Sequence, residues 1–237
     1  MAMGITFIKK NPSSLQNKID KFYSIDRLLN RYLMTLSLIL ASQSPRRKEL
    51  LTQVGYTFSS IPADINEAFK INENAVEYVQ RLAIEKAKAV AENLTVSERE
   101  LTVILGSDTS VVYKDNILGK PSNFNECKEQ LQMLSGNTHQ VLTSIAGVHQ
   151  GNCLSEVIAT DVTFKNLTLG EITRYWATGE PQDKAGSYGI QGLAGQFVTN
   201  ISGSYSAVVG LPLFETTKLL SKLGITTPIQ LSLKEDL

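Results

Sequence analysis

The sequence predicts a mixed α/β fold, in which a twisted sheet is flanked by helices, and three features carry this prediction. Short apolar runs alternate with amphipathic segments along the first half of the chain. Two longer segments, residues 139–148 and 154–164, then flank Gly151-Asn152 as an antiparallel pair would. The 237 residues are 42% hydrophobic, which is enough to bury a substantial core.

The individual elements follow from apolar periodicity and from residues that begin or end helices. Residues 36–41 predict a buried strand, because their apolar run has the length of a strand. Ser44 suits the N-cap and Pro45 the first position of a helix that Gly55 ends. The other predicted elements are strands at 58–61 and 102–105, a hairpin of 110–113 with 117–118, and helices at 74–92, 123–135, 168–177 and 212–222. Residues 183–210 are rich in glycine and serine and predict tight loops between short strands.

The composition argues against several classes of protein. Lysine plus arginine and aspartate plus glutamate both number 23, so no overall field draws the chain to nucleic acid or to an acidic membrane. Cys127 and Cys153 form neither a disulfide framework nor a zinc motif, which is compatible with a reducing compartment. No apolar run reaches the roughly 18 residues of a membrane helix. We therefore expect a cytoplasmic protein that binds neither nucleic acid nor membrane.

Residues 1–33 differ from the rest of the chain. They carry six basic residues against two acidic ones and lack the continuous apolar core of a secretory signal. Two interpretations are open: a basic leader, or an over-extended start with the working protein beginning at Met34. We favour the second, so that residues 1–33 are a basic extension outside the fold and residues 34–237 form the functional domain.

The first candidate site is Ser42-Gln43-Ser44-Pro45-Arg46-Arg47, which follows a strand and opens a helix. Unpaired N–H groups at a helix start favour bound anions. The hydroxyls of Ser42 and Ser44 and the guanidiniums of Arg46 and Arg47 add phosphate-binding groups. A capped helix with solvated arginines is the alternative.

Lys86 falls in the apolar stripe of the predicted helix 74–92, among Val79, Leu82, Ala83 and Val90. A buried unpaired ammonium is costly, so we expect this lysine to meet a carboxylate or a bound anion. The alternative is that its stem packs in the core while the ammonium reaches water.

Acidic and basic candidates follow the predicted strands. Asp108 in Gly106-Ser107-Asp108-Thr109 is expected at the end of a buried strand, where it suits a divalent metal or a positioned water. Lys120, in Gly119-Lys120-Pro121, could return across the hairpin toward the same pocket. Glu67 is a further acidic candidate after the second strand. Aspartates at the ends of strands are more often ordinary turn residues, and a surface turn would explain Glu67 equally well.

The glycine-rich stretch 183–192 is the last candidate. Glycines let a backbone approach a ligand closely, and the Gln191 amide can both donate to and accept from a pyrimidine edge. By itself, the stretch is more typical of a structural loop.

Six motifs, in this order, resemble the Maf family of nucleotide pyrophosphatases, over about residues 36–223. They are Ser42-x-Ser44-Pro45-Arg46-Arg47-x-Glu49-Leu50-Leu51, Arg81-Leu82-Ala83-x-x-Lys86-Ala87, Gly106-x-Asp108-Thr109, Gly119-Lys120-Pro121, Leu134-Ser135-Gly136-x-Thr138-His139 and Asp183-Lys184-Ala185-Gly186-x-Tyr188-Gly189-Ile190-Gln191-Gly192. The form of the last motif looks like the branch that acts on dTTP and UTP.

The resemblance implies a Maf/ITPase-like fold of two lobes around a deep cleft, within a single domain and commonly as a homodimer. It implies metal-dependent hydrolysis of dTTP and UTP to the nucleoside monophosphate and pyrophosphate, with removal of modified pyrimidine nucleotides as a family-level role. Two alternatives are a non-catalytic nucleotide sensor that regulates cell division and a purine pyrophosphatase acting on ITP or XTP.

The resemblance also implies roles for residues. Asp108 matches the proton acceptor, and Arg46, Thr109 and Gln191 match positions associated with substrate choice. The other expected residues are Lys86 and Lys120 in catalysis, Ser42, Ser44 and Arg47 in substrate binding, and Glu67 with Asp108 as ligands of Mg²⁺ or Mn²⁺.

Overall fold

A computed structural model of the chain describes residues 36–227 and 229–230. The predictions for residues 1–33 and for a start at Met34 concern residues outside the described ones. Within the described residues, no helix is long and apolar enough to cross a membrane.

The helices and strands alternate largely as predicted. The strands are β1 (Ser37–Leu40), β2 (Ser59–Ser60), β3 (Thr102–Tyr113), β4 (Asn116–Leu118), β5 (Thr138–His149), β6 (Asn152–Phe164) and β7 (Val198–Ser202). The α-helices are α1 (Pro45–Gln53), α2 (Ala75–Glu92), α3 (Val96–Glu100), α4 (Phe124–Leu134), α5 (Leu169–Ala177), α6 (Tyr205–Val209) and α7 (Leu213–Lys222). Short 3-10 helices occupy Glu180–Asp183, Ala185–Ser187 and Leu193–Phe197.

The strands form one mixed sheet, which confirms the predicted fold class. Its order is β2-β1-β3-β5-β6-β7. The first three strands run parallel, and the pairs from β3 to β7 are antiparallel. The predicted antiparallel pair of long strands is confirmed as β5 and β6.

One edge of β3 has a gap between its strand neighbours. β1 pairs with residues 102–105 of this edge, and β4 pairs with residues 111–113. The other edge pairs with β5 from Ile104 to Val112. In the described sheet, residues 106–110 therefore have a strand neighbour on one side only. This gap leaves room for side chains and for a ligand beside the middle of β3.

Helices cover both faces of the sheet near this gap. Leu38 and Leu40 of β1 pack in one cluster with side chains of α1 and α7, whereas Ile39 packs with α2 in another. Alternate residues of β1 thus enter different cores, which explains why the strand is almost wholly apolar.

Two details of the prediction are wrong. Asp108 lies in the middle of the 12-residue strand β3 rather than at the end of a shorter strand, because pairing with β5 continues through Gly106 and Asp108. Residues 183–210 contain the end of one 3-10 segment, two further 3-10 segments and helix α6, with only β7 as a strand, instead of loops between several short strands.

A buried histidine lies on β5 within an aromatic cluster. His139 is 2% exposed, and its Nε2 is 2.8 Å from the hydroxyl of Tyr188. The rings of Phe164 and Tyr188 pack edge-on against it at 5.0 and 5.4 Å. Burial among these rings lowers the pKa of His139 to about 4.

His139 is expected to make the fold sensitive to acid. The unfolded chain protonates this histidine near pH 6.5 and the folded chain only near pH 4, so stability falls as pH drops through that window. His139→Gln should remove roughly 3 kcal/mol of this pH dependence, at about 1.4 kcal/mol per pKa unit. Urea unfolding at pH 7 and pH 4.5 measures the difference. Tyr188→Phe, which retains the buried imidazole, should keep the wild-type dependence; an equally steep dependence in His139→Gln would contradict the assignment.

Candidate active site

A single cavity of about 1050 Å³ lies beside the gap in β3. Every residue proposed for the site from the sequence lines it. They are Ser42, Ser44, Arg46, Arg47, Glu67, Lys86, Asp108, Thr109, Lys120 and Gln191. The structure therefore brings together side chains from six separate parts of the chain.

The topology explains this convergence. The carboxyl ends of the parallel strands β1 and β2 lie at the same edge of the sheet, where ligands bind in open α/β sheets. The chain leaving β1 carries Ser42 to Arg47, and the chain leaving β2 carries Glu67. β3 runs past the end of β1 and carries Asp108 and Thr109 to the same place.

The beginning of α1 forms the first wall of the cavity. Ser44 caps the helix, and its own N–H donates to the hydroxyl of Ser42 at 3.2 Å. Arg47 donates from Nε to the carbonyl of Gly210 at 2.9 Å, and from Nη1 and Nη2 to the hydroxyls of Ser42 and Thr109 at 3.2 Å each. These three acceptors are neutral, so they orient the guanidinium without neutralising its charge. Such a cation suits a phosphate oxygen.

Lys86 forms the second part of the site and resolves the two interpretations of its burial. The residue is 9% exposed, and its Nζ lies 2.7 Å from Asp108 Oδ1 and 2.7 Å from Glu67 Oε1. Lys86 therefore meets carboxylates, as the periodicity of α2 led us to expect. The cluster of Lys86, Asp108 and Glu67 carries a formal net charge of minus one.

Gly106 allows helix α2 to lie close enough to β3 for this contact. A Cβ atom on Gly106 would stand 2.1 Å from the carbonyl oxygen of Ala83 and 2.9 Å from the backbone nitrogen of Ala87. Any side chain at this position would push the helix away. The first residue of the Gly106-x-Asp108-Thr109 motif is thus required by the packing that delivers Lys86.

Asp108 and Thr109 serve opposite sides of β3, because neighbouring residues of a strand point in opposite directions. Asp108 points toward α2 and contacts Lys86, whereas Thr109 points toward α1 and accepts from Arg47. Burial raises the pKa of Asp108, although Lys86 and Arg47 oppose the shift. Burial likewise lowers the pKa of Arg47. Both charged groups are therefore held where water solvates them poorly.

The segment that carries Glu67 is held to α2 by polar contacts. Arg81 forms a two-point ion pair with Glu73, at 2.5 and 2.7 Å, and also donates to the carbonyl of Ala68 at 3.0 Å. The hydroxyl of Tyr78 donates to the carbonyl of Glu67 itself at 3.0 Å. These contacts fix the backbone on which the Glu67 carboxylate depends. Apart from its contact with Lys86, the Glu67 side chain is exposed.

Lys120 and Gln191 lie on the remaining walls. Both side chains are exposed and line the cavity. Gln191 lies in a glycine-rich turn closed by Glu180, whose Oε2 accepts from the Leu193 N–H at 2.9 Å. A Cβ atom on Gly192 would stand 2.4 Å from the Glu180 carboxylate oxygens, so a larger residue there would displace the side chain that closes the turn.

Several residues that shape the cavity carry no recognisable signal in the sequence. Glu180 follows the glycine that ends α5 and has the appearance of an ordinary surface residue. The carbonyl of Gly210 accepts from both Arg47 and Ser107, yet a backbone acceptor leaves no trace in residue type. Gln130, which is buried on α4, is likewise a residue that its type did not single out. Of these features, only the backbone conformation of Gly210 could be anticipated from residue type, because glycine readily adopts a positive φ such as its 131°.

The carboxylates of Glu67 and Asp108 are suited to a divalent cation. Both contact the same ammonium, so they lie close together, and the net negative charge of their cluster favours a further positive ion. Oxygen donors of this kind are those that Mg²⁺ and Mn²⁺ prefer. In residues 36–227 and 229–230, no group of three or more His, Cys, Asp or Glu side chains is arranged to hold a metal. The remaining ligands of such an ion would have to be water and substrate oxygens.

Comparison with known proteins gives a consistent result. The model of the family described as "Maf-like protein" matches residues 37–223. A dTTP/UTP pyrophosphatase from Colwellia psychrerythraea is 55% identical over 207 residues, which cover 87% of this chain and 98% of the relative. The dTTP/UTP pyrophosphatases of Pseudoalteromonas atlantica and Vibrio parahaemolyticus are 53% and 54% identical over 188 residues, covering 79% of this chain and 97% of each relative.

Arg81→Met is expected to loosen the segment that carries Glu67. Losing the two-point pair to Glu73 and the bond to the Ala68 carbonyl should raise amide hydrogen exchange in residues 62–74 by roughly tenfold or more, because a bond to a charged group contributes about 1.5–3 kcal/mol. Lys88→Met, on the exposed face of the same helix, is the control and should leave exchange there unchanged. Wild-type protection of residues 62–74 in Arg81→Met would show that other contacts hold the segment.

Proposed function

The chain belongs to the family of Maf-like proteins, and from this premise we propose that it hydrolyses dTTP and UTP to the nucleoside monophosphate and pyrophosphate. The names of its relatives support this choice of substrates over purine triphosphates and over a sensor without activity. One structural observation carries the proposal: basic and acidic side chains from six parts of the chain line one cavity. At about 1050 Å³ it is large enough for a nucleotide.

The basic side chains would bind the triphosphate. Arg47 already has its guanidinium oriented by neutral acceptors, and Arg46 and Lys120 line the same cavity. The N-terminal N–H groups of α1 add a partial positive charge at this wall. Phosphoryl transfer depends mainly on such positioning and charge stabilisation, so these groups suit the reaction.

Asp108 is proposed as the general base. Its carboxylate accepts the proton of the attacking water while the new oxygen–phosphorus bond forms and the α–β anhydride bond breaks. The electron pair of that bond leaves with pyrophosphate, whose charge the lysines and arginines offset. Burial raises the pKa of Asp108 toward the range in which a carboxylate accepts a proton more readily.

Glu67 and Asp108 are proposed to hold Mg²⁺ or Mn²⁺ together with phosphate oxygens. When bound, such an ion would offset the charge of the triphosphate. Lys86 keeps both carboxylates oriented in the absence of substrate. Gln191, from the opposite wall, is proposed to read the pyrimidine edge through its amide. The homodimer and the cytoplasmic location stay predictions.

A nucleotide panel tests the proposed reaction directly. The chain is incubated with dTTP, UTP, CTP, GTP and ITP, each with Mg²⁺, with Mn²⁺ and with chelator, and pyrophosphate and orthophosphate are measured separately. We expect pyrophosphate from dTTP and UTP, and none with chelator. Release of orthophosphate alone would indicate a different phosphatase, and preference for ITP would favour the purine alternative.

Asp108→Asn should retain nucleotide binding while kcat on dTTP falls by roughly 10²–10⁴, the usual effect of losing a general base. The amide keeps the size of the side chain but accepts no proton. Asp115→Asn is the matched control, since Asp115 is exposed at the β3–β4 turn. Nucleotide affinity from calorimetry and kcat from pyrophosphate release separate the two effects. Near-normal turnover in Asp108→Asn would remove this residue from the role.

Gln191→Glu should alter base selection, because the carboxylate keeps an acceptor but loses the amide donor. We expect the ratio of kcat/KM for UTP to that for GTP to fall about tenfold or more, the usual scale for leaving a polar group unpaired. Gln196→Glu, at an exposed glutamine nearby, should keep the wild-type ratio. An unchanged ratio in Gln191→Glu would show that another group reads the base.

A further inference from the structure

The two walls that carry Lys120 and Gln191 are joined by one buried side chain. Gln130 of α4 is 6% exposed. Its Nε2 donates to the carbonyl of Gly119 at 3.2 Å, and its Oε1 accepts from the hydroxyl of Ser187 at 2.5 Å. Gly119 immediately precedes Lys120, and Ser187 lies in the segment that leads to Gln191.

A direct backbone contact completes this junction. The N–H of Gly186 donates to the same Gly119 carbonyl at 3.1 Å. That carbonyl therefore accepts one bond from α4 and one from the segment beside Gln191. A movement of either wall would break a hydrogen bond, and for the fully buried hydroxyl of Ser187 the loss of its partner would cost about 1–3 kcal/mol.

The segment at Gly186 and Ser187 has a backbone that needs such support. Ser187 is fully buried and has a φ of 62°, a left-handed conformation that is unfavourable for a residue with a Cβ. Gly186 has a φ of 66°, and a Cβ there would stand 2.8 Å from a methyl group of Val111. Unfavourable conformations persist only where surrounding contacts enforce them. The bond from Ser187 to Gln130 is such a contact.

We propose that Gln130 is a positioning residue that sets the distance between Lys120 and Gln191, and so couples phosphate binding to base selection. It touches no substrate. When the phosphates of a nucleotide contact Lys120, Gln191 then lies at a defined distance from them and can bind only a base that fits this distance. The effect on selection rests on the proposed function, whereas the mechanical link between the two walls does not.

Gln130→Met tests the link, since it keeps the length of the side chain and removes both hydrogen bonds. Amide exchange by mass spectrometry should rise about tenfold in residues 119–121 and in residues 183–192 together, with residues 62–74 unchanged. Gln132→Met makes the same substitution on the exposed face of α4 and should change neither segment. Unchanged exchange in both segments, or an increase in only one, would overturn the link.

Kinetics of the same variants test the coupling. In Gln130→Met, the ratio of kcat/KM for UTP to that for GTP should fall about tenfold, whereas a merely structural role would lower both values equally or lower only the Tm. Ser187→Ala, which removes one of the two hydrogen bonds, should give a smaller fall in the same ratio. This variant replaces Gln130→Met in the test if Gln130→Met does not fold.

Absence of pyrophosphate release by the wild type would reject the proposed function, and the exchange result alone would then decide the link. An unchanged ratio in both active variants would overturn the coupling.

Discussion

The site depends on the contact of the Lys86 ammonium with the carboxylates of Asp108 and Glu67. One buried cation holds together a helix, the middle of a strand and a segment after another strand. Removing Lys86 would leave both carboxylates without their cation, and that of Asp108 is in a poorly solvated place, so the ammonium enforces the positions of both. Because two carboxylates share one ammonium, the cluster also remains net negative. It lines the same cavity as Arg46 and Arg47 of α1, which carry the opposite charge.

The gap in the sheet makes this arrangement possible. β1 ends before β3 does, and β4 pairs with β3 only further along, so the edge of β3 around Asp108 is open. Neighbouring residues of that stretch serve the two faces of the sheet, and Gly106 lets α2 approach closely enough for Lys86 to reach Asp108. The fold thus creates the site by leaving a strand partly unpaired.

Local sequence signals predicted much of this structure, and tertiary contacts decided the rest. Ser44 and Pro45 predicted the start of α1, and helical periodicity predicted that Lys86 would be buried and would need a partner. The periodicity could not name that partner. Glycine and aspartate are poor strand residues, so the strand was expected to stop before Asp108, whereas pairing with β5 carries it through. Gln130 gave no signal, because a glutamine in a helix has the pattern of a surface residue until its neighbours are known.

The most direct test of the central claim is the turnover of dTTP by Lys86→Met, measured alongside its circular dichroism spectrum and Tm. If the Lys86 cluster organises the reacting groups, kcat should fall at least about 100-fold in a folded variant, the scale of losing a preorganised electrostatic group. A folded Lys86→Met variant with wild-type kcat would contradict the account, because the cluster would then be structural and the reacting groups would lie elsewhere.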